Sequence, residues 1–295
     1  MSAYSYQSSN KRKTAILLIL FVGLVSALFY GFAAVYNQPI FAVFGLILSV
    51  GQALVAYYGG GALAIMSAGG QEVTAEEAPQ IHNMVENLSK IAGIPKPKIF
   101  VSPDPSPNAF ACGRDPEHAN ICLNQGILTL LTKNELEGVI AHELAHVLNR
   151  DILVMSVTMV LASLISFISD FAFRMMWWGG GSSRDDENKS PIVIVVYIIA
   201  LVLAPFVALL IQMAISRSRE SLADASAVVM TRYPKGLMDA LTKLYESPVP
   251  TEHYSTATSH FYISPPKKSW GEKVSGLFST HPPLEERIEA LKKLS

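Results

Sequence analysis

The run His142-Glu143-Leu144-Ala145-His146 sets two imidazoles four residues apart with a carboxylate between them. On a helix, residues four apart stand one turn above each other, so both rings can hold a single divalent ion. Glu143 is turned by about 100° from His142. It can therefore face a water beside the ion without filling a coordination position. Zn2+ is the cation this donor chemistry suggests, because it brings such a water's pKa towards neutrality. A nearby carboxylate can then take the proton and deliver it to a leaving amine.

A hydrolytic zinc site takes three protein ligands and keeps one position open. The candidate third ligand is Glu220, in Ser218-Arg219-Glu220-Ser221-Leu222-Ala223-Asp224. Asp224 lies one helical turn further on. That spacing suits a carboxylate that accepts a hydrogen bond from a ligand imidazole and fixes its tautomer. The plainer alternatives are an amphipathic helix with two exposed histidines, and a solvated helix with scattered charges.

Several elements must position these groups. Thr132 and Glu135 form a capping-box pattern that opens the histidine helix. Leu136, Ile140, Leu144, Val147 and Leu148 give that helix a core side opposite its chemical side. Upstream, Thr74 and Glu77 repeat the capping box and predict an amphipathic helix to about Ala92. Short strands are predicted over 98–102, 108–113 and 120–123, followed by a short helix over 126–131.

Of the 295 residues, 50% are hydrophobic and only 16% charged. Soluble domains average roughly 25% charged residues, so a bilayer must take up the apolar excess. A net charge of -1 gives no basic footprint for a nucleic-acid partner. Cys112 and Cys122 are too few for a disulfide framework and read as free buried thiols.

Uncharged stretches run from Thr14 to about Gln38 and from Pro39 to about Met66, each near the roughly 20 residues a span requires. Asn37-Gln38-Pro39 is a turn between them, and Gly59, Gly60 and Gly61 are expected to loosen or end the second helix. Further uncharged stretches cover 152–169 and 191–215, with Trp177 and Trp178 suited to an interface. Lys11, Arg12 and Lys13 put the N-terminus on the cytoplasmic side, and Arg217 and Arg219 then fall there too. The expected fold is mainly α, with about four transmembrane helices and a discontinuous zincin-like α+β catalytic domain bearing a small sheet. Its parts are a cytoplasmic N-terminus (1–13), a first hairpin (14–66), the zinc-helix part (67–151), a second hairpin (152–215) and the third-ligand part (216–295).

The combined motifs resemble the HtpX-type membrane metallopeptidases, relatives of the CAAX prenyl endopeptidases. The likeness extends from the two motifs above to Asn108-Ala109-Phe110-Ala111-Cys112-Gly113 and Thr280-His281-Pro282-Pro283. It implies that His142, His146 and Glu220 are zinc ligands and Glu143 the general base. It further implies that Asn108, Ala109, Phe110, Ala111, Cys112 and Gly113 form an edge strand where an extended polypeptide pairs by β-augmentation. His281 and Arg287 match positions near the active site, where either could stabilise an oxyanion. The function implied is endoproteolysis of misfolded or damaged membrane proteins by a multi-pass enzyme of the cell membrane, its catalytic domain in the cytoplasm. One alternative is processing of a lipidated C-terminal tripeptide, which calls for a larger chamber than four spans suggest. Another is a non-catalytic membrane scaffold with a structural metal. The aromatic loop 247–269 reads as a lid or as a packed loop.

Overall fold

Two long helices lead the chain, and their sequences explain both their length and their pairing. The computed structural model describes residues 3–178, 217–250, 262–263 and 283–294. Helix α1 spans Ala3–Val35 and α2 spans Ile40–Ser67. Over Ser8–Ala34, and along all of α2, each is long and apolar enough to cross a bilayer. Ile16, Ile19, Phe44, Leu46, Ile47 and Leu54 stand exposed on their outer surfaces, as lipid-facing residues do. Asn37 takes a φ of 52° in the connecting turn, a conformation asparagine tolerates better than most residues. Inside the hairpin, the Ser26 and Ser49 hydroxyls lie 3.1 Å apart, a polar pairing suited to helices without a hydrophobic driving force between them.

The glycine run does not end α2, contrary to the expectation from sequence. The helix continues to Ser67, and Gly60 and Gly61 are buried contact points. A Cβ on Gly61 would lie 3.0 Å from the Gly113 Cα, and one on Gly60 would lie 3.1 Å from Ser156. The missing side chains let a strand and a neighbouring helix rest directly on α2.

Strands β1 (Gln71–Glu72), β2 (Lys98–Ser102), β3 (Ala109–Gly113) and β4 (Ala119–Asn124) form one sheet in the order β1-β2-β4-β3. β2 and β4 are parallel, and the outer pairs are antiparallel. Among the described residues, β3 is thus an edge strand. Helix α3 covers Pro79–Ala92, starting later than Thr74 and Glu77 suggested. Those two residues do hydrogen-bond, with Thr74 N–H donating to Glu77 at 2.7 Å. They close a turn, and the helix begins at Pro79, which needs no N–H partner at its first position. Helix α4 is Gln125–Leu130.

Helix α5, Lys133–Leu148, carries His142, Glu143 and His146. Thr132 N–H donates to Glu135 at 2.7 Å, as the capping pattern predicts. The two-sided helix expected from sequence is instead enclosed nearly all round, with Val139, Ala141 and Ala145 as buried as Ile140 and Leu144. A Cβ on Gly138 would come within 2.7 Å of the Leu237 N, so α5 and its neighbour approach to backbone contact there. Helix α6, Asp151–Trp178, leaves α5 at 84° over its described start, with Arg150 at φ 58° in the corner. Helices α7 (Arg217–Thr231), α8 (Pro234–Glu246) and α9 (Leu284–Lys292) complete the described part. The stretch 191–215, most of the loop 247–269, and His281 lie outside the described residues.

Candidate metal centre

The capping of α5 fixes where its last two turns point, and there both imidazoles meet. His142 Nε2 and His146 Nε2 face each other at 3.2 Å. Glu220, on the first turn of α7, brings Oε1 to 3.6 Å from His146 Nε2 and Oε2 to 3.7 Å from His142 Nε2. All three side chains are buried. Bonds of about 2.0–2.2 Å around a tetrahedral ion place neighbouring donors about 3.3–3.6 Å apart. The observed triangle fits a zinc-sized cation, and its mixed imidazole and carboxylate donors suit one. Among the described residues, this group has three members and no fourth donor closing it.

Each imidazole is held from behind by a carboxylate. His142 Nδ1 lies 2.9 Å from Asp224 Oδ1, close but poorly aligned. Asp224 is gripped by Arg287, whose Nε donates to Oδ2 at 2.9 Å and whose Nη2 donates to Oδ1 at 2.6 Å. Arg287 Nη1 donates to the Ile263 carbonyl at 3.2 Å and lies 4.0 Å from Glu220 Oε2. Burial works to raise Asp224, but the Arg287 charge and hydrogen bonds hold it at about 2. Burial also pulls His142 below the usual histidine range, against the pull of Asp224.

The other imidazole has a partner that the motifs did not announce. His146 Nδ1 donates to Asp151 Oδ2 at 3.0 Å. Burial pulls His146 down, yet the Asp151 hydrogen bond and the charges of Glu220 and Asp151 push it up to about 9. A signal for Asp151 existed: it is the acidic residue at the head of a long apolar stretch, and a buried charge there needs a partner. With their Nδ1 atoms turned towards carboxylates, both rings present Nε2 lone pairs to the same point.

Glu143 is buried beside this triangle and accepts a hydrogen bond from the Ala111 N–H of β3. Burial pushes its carboxyl up to about 7, opposed by His146 and reinforced by the Glu220 charge. The outward backbone groups of β3 are partly engaged by the chain itself. Ala109 O accepts from Ile263 N–H at 3.2 Å, and Gly113 N–H donates to Ser156 Oγ at 3.0 Å. The Phe110 ring meets Tyr262 edge-on at 5.7 Å. Cys112 and Cys122 are free and buried, and burial pushes Cys122 up to about 12.

A buried glutamate of raised pKa stands next to three metal-ligand side chains, on a chain with two bilayer-length helices. The class is the membrane metallopeptidases. Comparison with known proteins narrows it: residues 75–295 match the model of peptidase family M48, and the chain belongs to that family. It is 43% identical to the "Protease HtpX homolog" of Caldanaerobacter subterraneus subsp. tengcongensis, over 99% of this chain and 98% of the relative. The corresponding protein of Streptococcus gordonii is 41% identical, with 97% and 98% covered. In fold, the chain is similar to the crystal structure of S. mikatae Ste24p, with a TM-score of 0.52 at 21% identity, covering 98% of this chain and 67% of that one.

Proposed function

We propose that this metallopeptidase uses Zn2+, held by His142, His146 and Glu220, to cut misfolded or damaged membrane proteins at the cytoplasmic face. The observation that carries the reading is the buried triangle of donors with Glu143 against it. Bound there, the cation supplies the positive charge that acidifies water and polarises a carbonyl. Glu143 takes the water's proton and passes it to the leaving amine, a task suited to a carboxylate buried beside the donors. Asp224 and Asp151 keep the two imidazoles in the tautomer that points Nε2 at the ion. Arg287 acts mainly as a positioning residue, because its fork is spent on Asp224 and Ile263. His281 remains the proposed oxyanion donor.

The substrate is an extended polypeptide on the β3 edge, along Asn108, Ala109, Phe110, Ala111, Cys112 and Gly113. Pairing through backbone makes binding tolerant of sequence, as removal of damaged proteins requires. An incoming strand must displace Ile263 from Ala109 O. The second hairpin, 152–215, is proposed to cross the membrane like 14–66, joining the two catalytic parts, 67–151 and 216–295, on the side of the 1–13 segment. The test is purified protein with zinc and an unfolded polypeptide. Glu143→Gln should lose at least about 100-fold in kcat, the scale of general-base catalysis, while keeping its metal. Undiminished cleavage by that variant would sink the mechanism.

A further inference from the structure

We propose that Asn10, on the N-terminal helix α1, is a positioning residue for the metal centre, acting through Asp151 on His146. The inference rests on His146 being a ligand. Asn10 lies in the polar flank before the apolar part of α1, where a solvated side chain is the ordinary outcome. Instead it is only 2% exposed. Its amide nitrogen has two hydrogens, and each has an acceptor: Asn149 O at 3.1 Å and Asp151 Oδ1 at 2.7 Å. Asp151 Oδ2 receives the His146 Nδ1–H. The two oxygens of one carboxylate are thereby given separate partners, and the group cannot rotate without breaking a hydrogen bond.

The location explains why such a clip is needed. Asn149 is the C-cap of α5, an end where backbone carbonyls lack helical partners. Arg150 takes a φ of 58°, which a non-glycine residue adopts at a cost. Asn10 bonds to both sides of this corner, so it sets the direction from which Asp151 meets His146. The Arg219 guanidinium also faces Asp151 Oδ1, but at 3.9 Å it fixes charge more than direction. The Lys13 charge acts on the same carboxylate from α1. Asn10 is hydrogen-bonded to both the corner and the carboxylate. The seating of α1 is therefore transmitted to the orientation of one imidazole.

The experiment uses the full chain in detergent micelles or nanodiscs, loaded with Zn2+ for affinity and with Co2+ for its visible absorption spectrum. Changing a group that orients a ligand costs about 10–100-fold in metal affinity, and Asn10 stands one bond further out. Asn10→Ala should weaken Zn2+ binding about 3–20-fold, alter the Co2+ bands, and lower kcat more than it raises KM. Asn10→Asp should do worse, because it sets one carboxylate against another. Combining Asn10→Asp with Asp151→Asn reverses the donor and acceptor yet still offers His146 an oxygen. That double variant should recover part of the affinity and spectrum lost in Asn10→Asp. Parent-like affinity and spectrum in Asn10→Ala overturn the proposal. If Asn10→Ala does not fold, the exchanged pair decides: no recovery over Asn10→Asp also overturns it. Failure of the parent chain to bind either metal would instead strike at the ligand reading.

Discussion

The two sides of the metal centre solve one problem with opposite chemistry. On the C-terminal side, Asp224 behind His142 is neutralised by the buried, bidentate Arg287. On the N-terminal side, Asp151 behind His146 is directed by the uncharged amide of Asn10, with Arg219 3.9 Å away. The rings differ as well: burial, helped by the His146 and Arg287 charges, holds His142 below the usual histidine range. Against burial, the Asp151 hydrogen bond and the charges of Glu220 and Asp151 push His146 up to about 9. A carboxylate whose charge is cancelled mainly orients its imidazole. One that keeps more of its charge also makes the imidazole a stronger donor to a cation.

The sharpest way to break this contrast is Arg287→Met. It strands the Asp224 charge in the interior, and removing one partner of a buried pair costs about 3–5 kcal/mol. A large fall in the unfolding midpoint is expected even without metal, whereas Asn10→Ala should lower that midpoint far less. Next in size are the two carboxylates themselves. Asp224→Asn and Asp151→Asn should each weaken Zn2+ binding by about 10–100-fold, measured by competition with a chelating dye. Asp151→Asn should show the larger loss, because its ring depends more on charge; equal losses would erase the distinction between the sides. The smallest effect is expected at Glu135, which joins Lys243 at 2.8 Å and caps α5 far from the donors. Burial acts to raise Glu135, but Lys243 and Thr132 leave it below the usual glutamate range. A depressed carboxylate adds stability above its unfolded pKa of about 4.3 and loses it as pH falls through the lower folded value. Thermal scans should therefore show Glu135→Gln slightly less stable than the parent at pH 7, with the gap closing below about pH 4 and metal affinity unchanged.

Local signals were legible in the sequence, and long-range ones were not. The capping residues Thr132 and Glu135 placed the start of α5, and the four-residue spacing placed His142 and His146 on one face. Glu220 and Asp224 were candidates because a half-built site calls for its remaining parts and a helical turn separates them, and the structure brings both close to the two rings. Asn10 had no such signal, since its partners lie some 140 residues further along the chain. The glycines of α2 misled for a related reason. Glycine read alone marks a helix end, whereas here Gly113 and Ser156, brought up by the fold, give Gly60 and Gly61 their purpose. Pro79 overrode an intact capping pattern because it fixes the first helical residue more firmly than a hydrogen bond at Thr74 can.

The spread of these contacts along the chain also bears on how the protein comes into being. A ribosome delivers Asn10 before the α5 histidines, Glu220 only after the whole of α6 and residues 179–216, and Arg287 later still. Contacts between such distant segments form late, because their loops must close before they reward folding. With the roles proposed above, the growing chain cannot assemble its three donors until Glu220 is made, nor steady Asp224 until Arg287 is made. The three donors thus come together only after the two long apolar helices, α1 and α2, have been made.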